Sequence, residues 1–511
     1  MSRWHRFVLA AALIAVGLVV PAQALASSTQ TSMLQDDDQI IYSTPKHEVA
    51  VLEQLHALGV DIVKVSMVWS LVAPDPTASK PPKFKATEPG AYPPGAWDRY
   101  DLLDREAHKL GMKVYFQITP LDPKWGRAKG NPPEGKALGR APDLSLFSQF
   151  VKAVGTRYSG HYGSPALPRV SMWGVWNEPN WPNWLNPWHR KVHGVTEMSQ
   201  PPIYRGIADT AYKSLKATGH GSDTILIGES SNAGTIRPMT FLEDLYCVGS
   251  RFKLLAGKGA ARVGCPTHPD RSKFVKANPA LFHMTGWAHH PYGRPSNATQ
   301  GWITVYNLST MEKGLNSIFH VYGHRRAKGV PLYLTEWDGA LHTNPPDKYY
   351  STTLKEQAAW TDQGEYETWR LGYVKTLCQF LLVDDKPNTN AKKGSKAYWN
   401  TPTGGLYFYT GKAKPALAAF RIPIWLPSAK VGKHVDVWGQ LRPANHHKAQ
   451  TGKIEFRRKG SKKWIVLRTV KTTNSEGFIS THVAVGSKGT VRLAWQASKN
   501  HTDYSRSVTV S

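Results

Sequence analysis

Residues 172–180 read Met172-Trp173-Gly174-Val175-Trp176-Asn177-Glu178-Pro179-Asn180. An apolar run leads straight into Asn177-Glu178-Pro179, so a carboxylate falls where a strand buried on both faces ends. Pro179 has no amide hydrogen to continue a ladder and fixes the turn that follows. In a parallel barrel such a strand end lies at the C-terminal mouth, where these folds place their chemistry.

The same rhythm spreads outward in both directions. Short runs rich in Val, Ile, Leu and aromatics occupy residues 61–68, 112–118, 170–176, 224–228, 282–288, 330–335 and 379–383. Amphipathic stretches at 100–110, 144–158, 203–217 and 366–377 carry the helical period between them. One more strand at 40–42 brings the number to eight, which predicts a closed (β/α)8 TIM barrel over residues 27–424. An open doubly wound sheet is disfavoured, since no Gly-rich phosphate turn follows the first strand. After Pro423 the segments become short and alternating, at 435–439, 453–457, 464–468, 490–495 and 507–510. Residues 425–511 therefore read as a small β-sandwich of immunoglobulin or fibronectin type.

A second carboxylate stands in the same setting: Pro331-Leu332-Tyr333-Leu334-Thr335-Glu336-Trp337-Asp338 is again a buried run ending in Glu. Cleavage of a glycosidic bond needs two carboxyl groups, one to protonate the leaving oxygen and one to attack the anomeric carbon or activate water. Glu178 and Glu336 are the candidate pair. Between them lies Gly286-Trp287-Ala288-His289-His290-Pro291-Tyr292. Alternation along a strand sends His289 and His290 to opposite faces, which argues against a metal centre and puts His290 and Tyr292 on the same side. Glu229, in Gly228-Glu229-Ser230-Ser231, is a third strand-end carboxylate, expected to bind substrate or shape a loop. The chain holds 19 tryptophans. Trp181, Trp184 and Trp188, in a Pro- and Asn-rich loop, are candidate platforms for the apolar faces of sugars.

These motifs resemble the large clan of retaining (β/α)8 glycoside hydrolases, which includes the cellulase-like family 5 and the β-xylosidase-like family 39. The resemblance rests on Asn177-Glu178-Pro179 ending the fourth strand, His290-x-Tyr292 the sixth and Thr335-Glu336-Trp337 the seventh. It implies that Glu178 is the general acid/base and Glu336 the nucleophile. It further implies that Asn177 binds the sugar 2-hydroxyl, that His290 and Tyr292 support nucleophile and substrate, and that no metal or organic cofactor is needed. Val65-Ser66-Met67-Val68-Trp69 resembles the clan's second strand, and Trp69 and Trp337 join the candidate substrate contacts. Many relatives carry Arg on that strand; here Lys64 is the nearest basic residue, either replacing it or facing the helices. Trp399 is the nearest counterpart of an aromatic that relatives carry after the eighth strand.

The N-terminus has the pattern of an export signal: Arg3, His5 and Arg6, the apolar run 7–20, then Ala24-Leu25-Ala26. Residues 1–26 are read as that signal and the mature protein as secreted. The apolar run is too short for a comfortable membrane span, and no later stretch replaces it. Cys247 and Cys265 are expected to form a disulfide and Cys378 to be a buried thiol. The net charge is +27, and residues 425–511 hold 16 Lys plus Arg against 4 Asp plus Glu. No nucleic-acid-binding motif accompanies these charges, so the expected partners are a carbohydrate substrate and, through the basic module, acidic polysaccharide or cell wall. A carbohydrate-binding protein with an inactive barrel is the alternative. Residues 74–94, 120–142 and 180–202 are expected to wall the site.

Overall fold

The computed structural model describes residues 26–129, 139–232, 234–299, 301–444 and 449–511. The expected export signal, residues 1–26, lies outside them but for Ala26. Eight parallel strands close into a barrel: β1 Thr31–Gln35, β2 Ile62–Val68, β3 Lys113–Thr119, β4 Met172–Val175, β5 Thr224–Ser231, β6 Gly286–His290, β7 Leu332–Trp337 and β8 Val374–Phe380. The ring closes where β1 pairs with both β2 and β8. Helices α1 to α8 follow the strands in turn, at Pro45–Ala57, Asp98–Lys109, Leu144–Arg157, Gln200–Ala217, Pro238–Leu245, Ser309–Val321, Leu354–Trp369 and Pro415–Arg421. Most of the core lies between strands and helices, while Met33, Ile62, Tyr115, Met172, Leu226, Ala288 and Cys378 plug the barrel interior.

The structure corrects two expected elements, one strand and one helix. Residues 40–42 form a turn closed by Ile40 N–H to the Asp36 carbonyl, and the first strand is Thr31–Gln35. Only Met33 and Leu34 of that strand look like core, because Ser32 bonds the Asp61 carboxylate and Gln35 faces the barrel mouth. Near the other end, residues 366–377 are not one helix. Helix α7 stops at Trp369, and β8 starts at Val374 after the turn through Gly372. A strand buried on both faces reads much like a buried helix, and the helix boundary was lost in it.

Register shifts interrupt the alternation of β5, β7 and β8, the last between Val374 and Thr376. Between β7 and β8 the register runs from Leu334↔Leu377 to Trp337↔Gln379, so β7 carries one extra residue. Between β5 and β6 it runs from Ile227↔Trp287 to Ser230↔His289, so β5 also carries one. Such bulges turn a side chain onto the face its parity would deny it. Thr335 and Glu336 both reach the interior in this way, and the β5 bulge likewise turns Glu229 inward.

The C-terminal module is a sandwich of a three-stranded sheet (Ile424–Trp425, Gly432–Gln440, Phe478–Val485) and a five-stranded one (Gln450–Arg458, Ile465–Thr472, Gly489–Ser498, His501–Tyr504, Val508–Val510). Phe478–Val485 escaped the sequence reading because Ser480, Thr481 and His482 dilute its apolar alternation. Cys247 and Cys265 form the expected disulfide, and Cys378 is a buried free thiol. No helix among the described residues is long and apolar enough to cross a membrane.

Candidate active site

The strand C-termini open into a cavity of about 640 Å³. That is well within the range that holds a small ligand. Asn177, Glu178 and Glu336 line it, with Tyr292 between them. Glu178 and Glu336 arrive from β4 and β7, and one oxygen of each, together with a His290 ring nitrogen, all lie within 4.8 Å of one another.

Glu336 is held from several sides. Oε1 takes the Lys64 ammonium at 3.0 Å, Oε2 accepts from the Tyr292 hydroxyl at 3.3 Å, and His290 Nδ1 is 3.4 Å from Oε2. Lys64 shares the inward parity of Ile62 and Ser66 on β2, which settles the alternative left by the sequence: it points into the barrel. Burial alone would strip its proton, but Glu336 and Glu229 outweigh that cost and hold the amine more firmly charged than usual. Burial, then the Glu336 charge, pushes the Tyr292 phenol far up, so it stays a donor.

Glu178 receives His290 Nδ1 at 3.0 Å, while Nε2 of the same ring meets Glu229 Oε2 at 3.0 Å. Burial disfavours the imidazolium, yet the Glu336 charge and the bonds from Glu178 and Glu229 push His290 up to about 9. The ring is therefore a cation at neutral pH. His289 turns the other way, to Ser230 and the Ile303 carbonyl, and burial drops it to about 4. Glu178, His290 and Glu336 are spaced for a metal ion, but the chain supplies its own cations there: Lys64 on Glu336 and the protonated ring of His290 between the carboxylates.

Glu229 is not a substrate contact. It is fully buried beneath the cavity floor, where Tyr115 donates to Oε1 and Thr335 Oγ1 to Oε2 at 2.7 Å, with Lys64 3.9 Å away. Burial would raise its pKa, but Lys64 and His290 hold it below the usual carboxylate range. A Cβ on Gly174 would strike the Tyr115 hydroxyl and Glu229 Oε1, so β4 needs glycine there.

The aromatic candidates divide. Trp181 and Trp184 line the cavity, joined by Trp302, Phe380 and the stacked pair His342 and Tyr350, whose ring centroids are 4.0 Å apart. Trp69 does not: it is buried in the helix layer, stacked on Phe150. Trp337 is buried against Gly364 of α7 rather than facing substrate. Trp188 lies tilted against His189 and Trp399 meets Tyr398 edge-on, both away from the cavity lining. Both buried tryptophans sit on the outward parity of their strands, Trp69 beyond Met67 and Trp337 just past the β7 bulge. Asn177 accepts from Gln117 Nε2 at 3.2 Å through its amide oxygen. Gln35 and Asp37, from the end of β1, also line the floor and were not singled out from the sequence. Gln35 Oε1 is buried with no hydrogen-bond partner. None of the described residues of 74–94 lines the cavity, and the loops after β6 and β7 supply much of its wall instead.

No family model and no curated protein matches the chain. Similar solved structures include a family 39 glycoside hydrolase from Bacteroides cellulosilyticus WH2, at TM-score 0.47 and 12% identity, over 90% of this chain and 80% of that one. A glucosidase from Croceicoccus marinus gives 0.49 and 12%, over 95% and 99%. Bacteroides uniformis β-glucuronidase 2, covalently bound to cyclophellitol-6-carboxylate aziridine, gives 0.43 and 10%, over 94% and 46%. The chain thus spans about half the length of that glucuronidase.

Proposed function

We propose that this protein is a secreted retaining glycoside hydrolase acting on a β-linked oligo- or polysaccharide, with Glu178 as acid/base and Glu336 as nucleophile. The observation that carries the reading is the approach of the two carboxylates to within 4.8 Å across one cavity. Retaining enzymes hold their carboxyl groups about 5 to 5.5 Å apart, whereas inverting ones leave about 6.5 to 9.5 Å for a water.

The surroundings suit the two roles. Before reaction Glu336 must be an anion, and Lys64 and Tyr292 stabilise that state. Its oxygen attacks the anomeric carbon as Glu178 gives its proton to the departing oxygen; the glycosidic bond breaks and a glycosyl ester of Glu336 forms. In the second step the Glu178 carboxylate takes a proton from water, whose oxygen displaces Glu336 from the anomeric carbon. The His290 cation, 3.0 Å from Glu178, stabilises the anionic form that Glu178 adopts between the steps. Two inversions give net retention. With its oxygen engaged by Gln117, Asn177 keeps its amide hydrogens for a sugar hydroxyl.

The test is turnover of an aryl β-glycoside panel by wild type, Glu178→Ala and Glu336→Ala, with azide as rescuing nucleophile. Both variants are expected to lose turnover. Azide should yield the retained glycosyl azide with Glu178→Ala and the inverted one with Glu336→Ala. Binding of a glycan with no turnover by wild type would favour the inactive-barrel alternative. Turnover that survives both substitutions would assign the chemistry to other residues.

A further inference from the structure

The outer face of the five-stranded sheet holds an arrangement that neither the barrel chemistry nor the fold requires. Alternation sends Ile454, Phe456, Val491 and Leu493 into the sandwich core and turns Lys453, Glu455, Arg457 and Arg492 outward. Register then sets Glu455 opposite Arg492, and Lys471 joins the face opposite Thr451. The Arg492 guanidinium lies 4.0 Å from the Trp464 ring centre and 3.8 Å from that of Tyr504, and Arg457 lies 4.8 Å from Trp464. Stacking fixes these planar cations in place and reduces the entropy lost when they meet a partner.

The charge balance of the face is one-sided. Glu455 is its carboxylate, and Arg492 neutralises it at 2.8 Å. Among the described residues, Lys453, Arg457 and Lys471 have no carboxylate within ion-pair distance. The adjoining turn adds exposed Lys459, Lys462 and Lys463 beside Trp464. Isolated surface cations on a mixed-charge protein need no explanation, but these are gathered on one flat, ring-braced surface.

We propose that this face binds an acidic polysaccharide, its carboxylates or sulfates meeting the unpaired cations. The choice of a polyanionic glycan over nucleic acid rests on the glycosidase reading of the barrel; the charge and ring geometry stand without it.

The experiment uses the full chain carrying Glu336→Ala, so that binding is scored without turnover. Its migration is followed in native gels containing polygalacturonate, uncharged dextran or double-stranded DNA. Polygalacturonate should retard it, dextran should not, and added salt should release it. Lys453→Glu with Arg457→Glu and Lys471→Glu should weaken retardation by roughly tenfold or more at low salt. The corresponding Gln substitutions, which keep the face uncharged rather than reversed, should fall between. Reversing three exposed barrel lysines, Lys213, Lys276 and Lys313, should cost much less. The proposal is overturned by an absence of retardation, by equal loss from the barrel substitutions, or by stronger retardation in DNA. Aryl-glycoside turnover by the face variants in the wild-type background reports separately on the barrel, so a failed glycosidase reading and a failed binding face are told apart.

Discussion

Lys64 Nζ lies 3.0 Å from Glu336 Oε1 and 3.9 Å from Glu229 Oε2, a single buried ammonium shared by two carboxylates. Lys64→Met would leave both anions without it. Removing one partner of a buried pair typically costs about 3–5 kcal/mol. We expect a markedly lower Tm and turnover reduced by at least about 100-fold, measured by calorimetry and by aryl-glycoside hydrolysis. A variant as stable and active as wild type would show that Lys64 neutralises nothing of consequence.

His290 sets a pH dependence. Its value in the fold, about 9, lies above its ordinary 6.5. The stabilisation it supplies is therefore complete below about pH 6.5 and is lost as pH rises through 9. A shift of that size corresponds to about 3 kcal/mol. Thermal unfolding from pH 6 to pH 10 should show this decline in wild type, and His290→Gln should flatten it.

Glu229→Gln keeps the shape beneath the floor and removes a charge. The His290 proton should then leave at lower pH, which NMR titration of the ring reads directly. A purely structural role for Glu229 would lower Tm and leave that titration where it was.

Trp69 and Trp184 should behave oppositely when cut to alanine. Trp69 fills the helix layer, so its loss should cost about 3–5 kcal/mol of stability. Trp184 lines the cavity, so its loss should raise KM for an oligosaccharide with much less effect on unfolding. Parallel Tm and KM measurements separate the two.

Reduction of Cys247–Cys265, which are separated by 18 positions, should destabilise the protein by about 3 kcal/mol. Cys378 is fully buried and should resist a thiol reagent until the barrel unfolds.

The barrel and both carboxylates were legible because strands buried on both faces leave unbroken apolar runs, and two such runs end in Glu with His290-x-Tyr292 between them. The opposite facing of His289 and His290 followed from simple alternation. The surroundings of the glutamates were less legible. Glu229 read as binding substrate or shaping a loop, since the β5 bulge that turns it beneath the floor leaves no signature beyond Gly228. Trp69 and Trp337 adjoin the site in sequence but point away from it in space. Lys64 could have been placed from its parity with Ile62 and Ser66, had the register of β2 been trusted. The floor residues Gln35 and Asp37 were obscured by placing the first strand at 40–42, when it begins at Thr31.

The extra residue in β7 makes the protein's catalytic competence a matter of counting. Deleting Thr335 would restore strict alternation between Leu334 and Trp337 and leave Glu336 on the inward parity. It would also remove the hydroxyl that Thr335 gives to Glu229 Oε2. Losing the neighbouring codon instead would take away Glu336 itself, so of the two residues that the bulge admits to the lumen only one can be spared by the carboxylate pair.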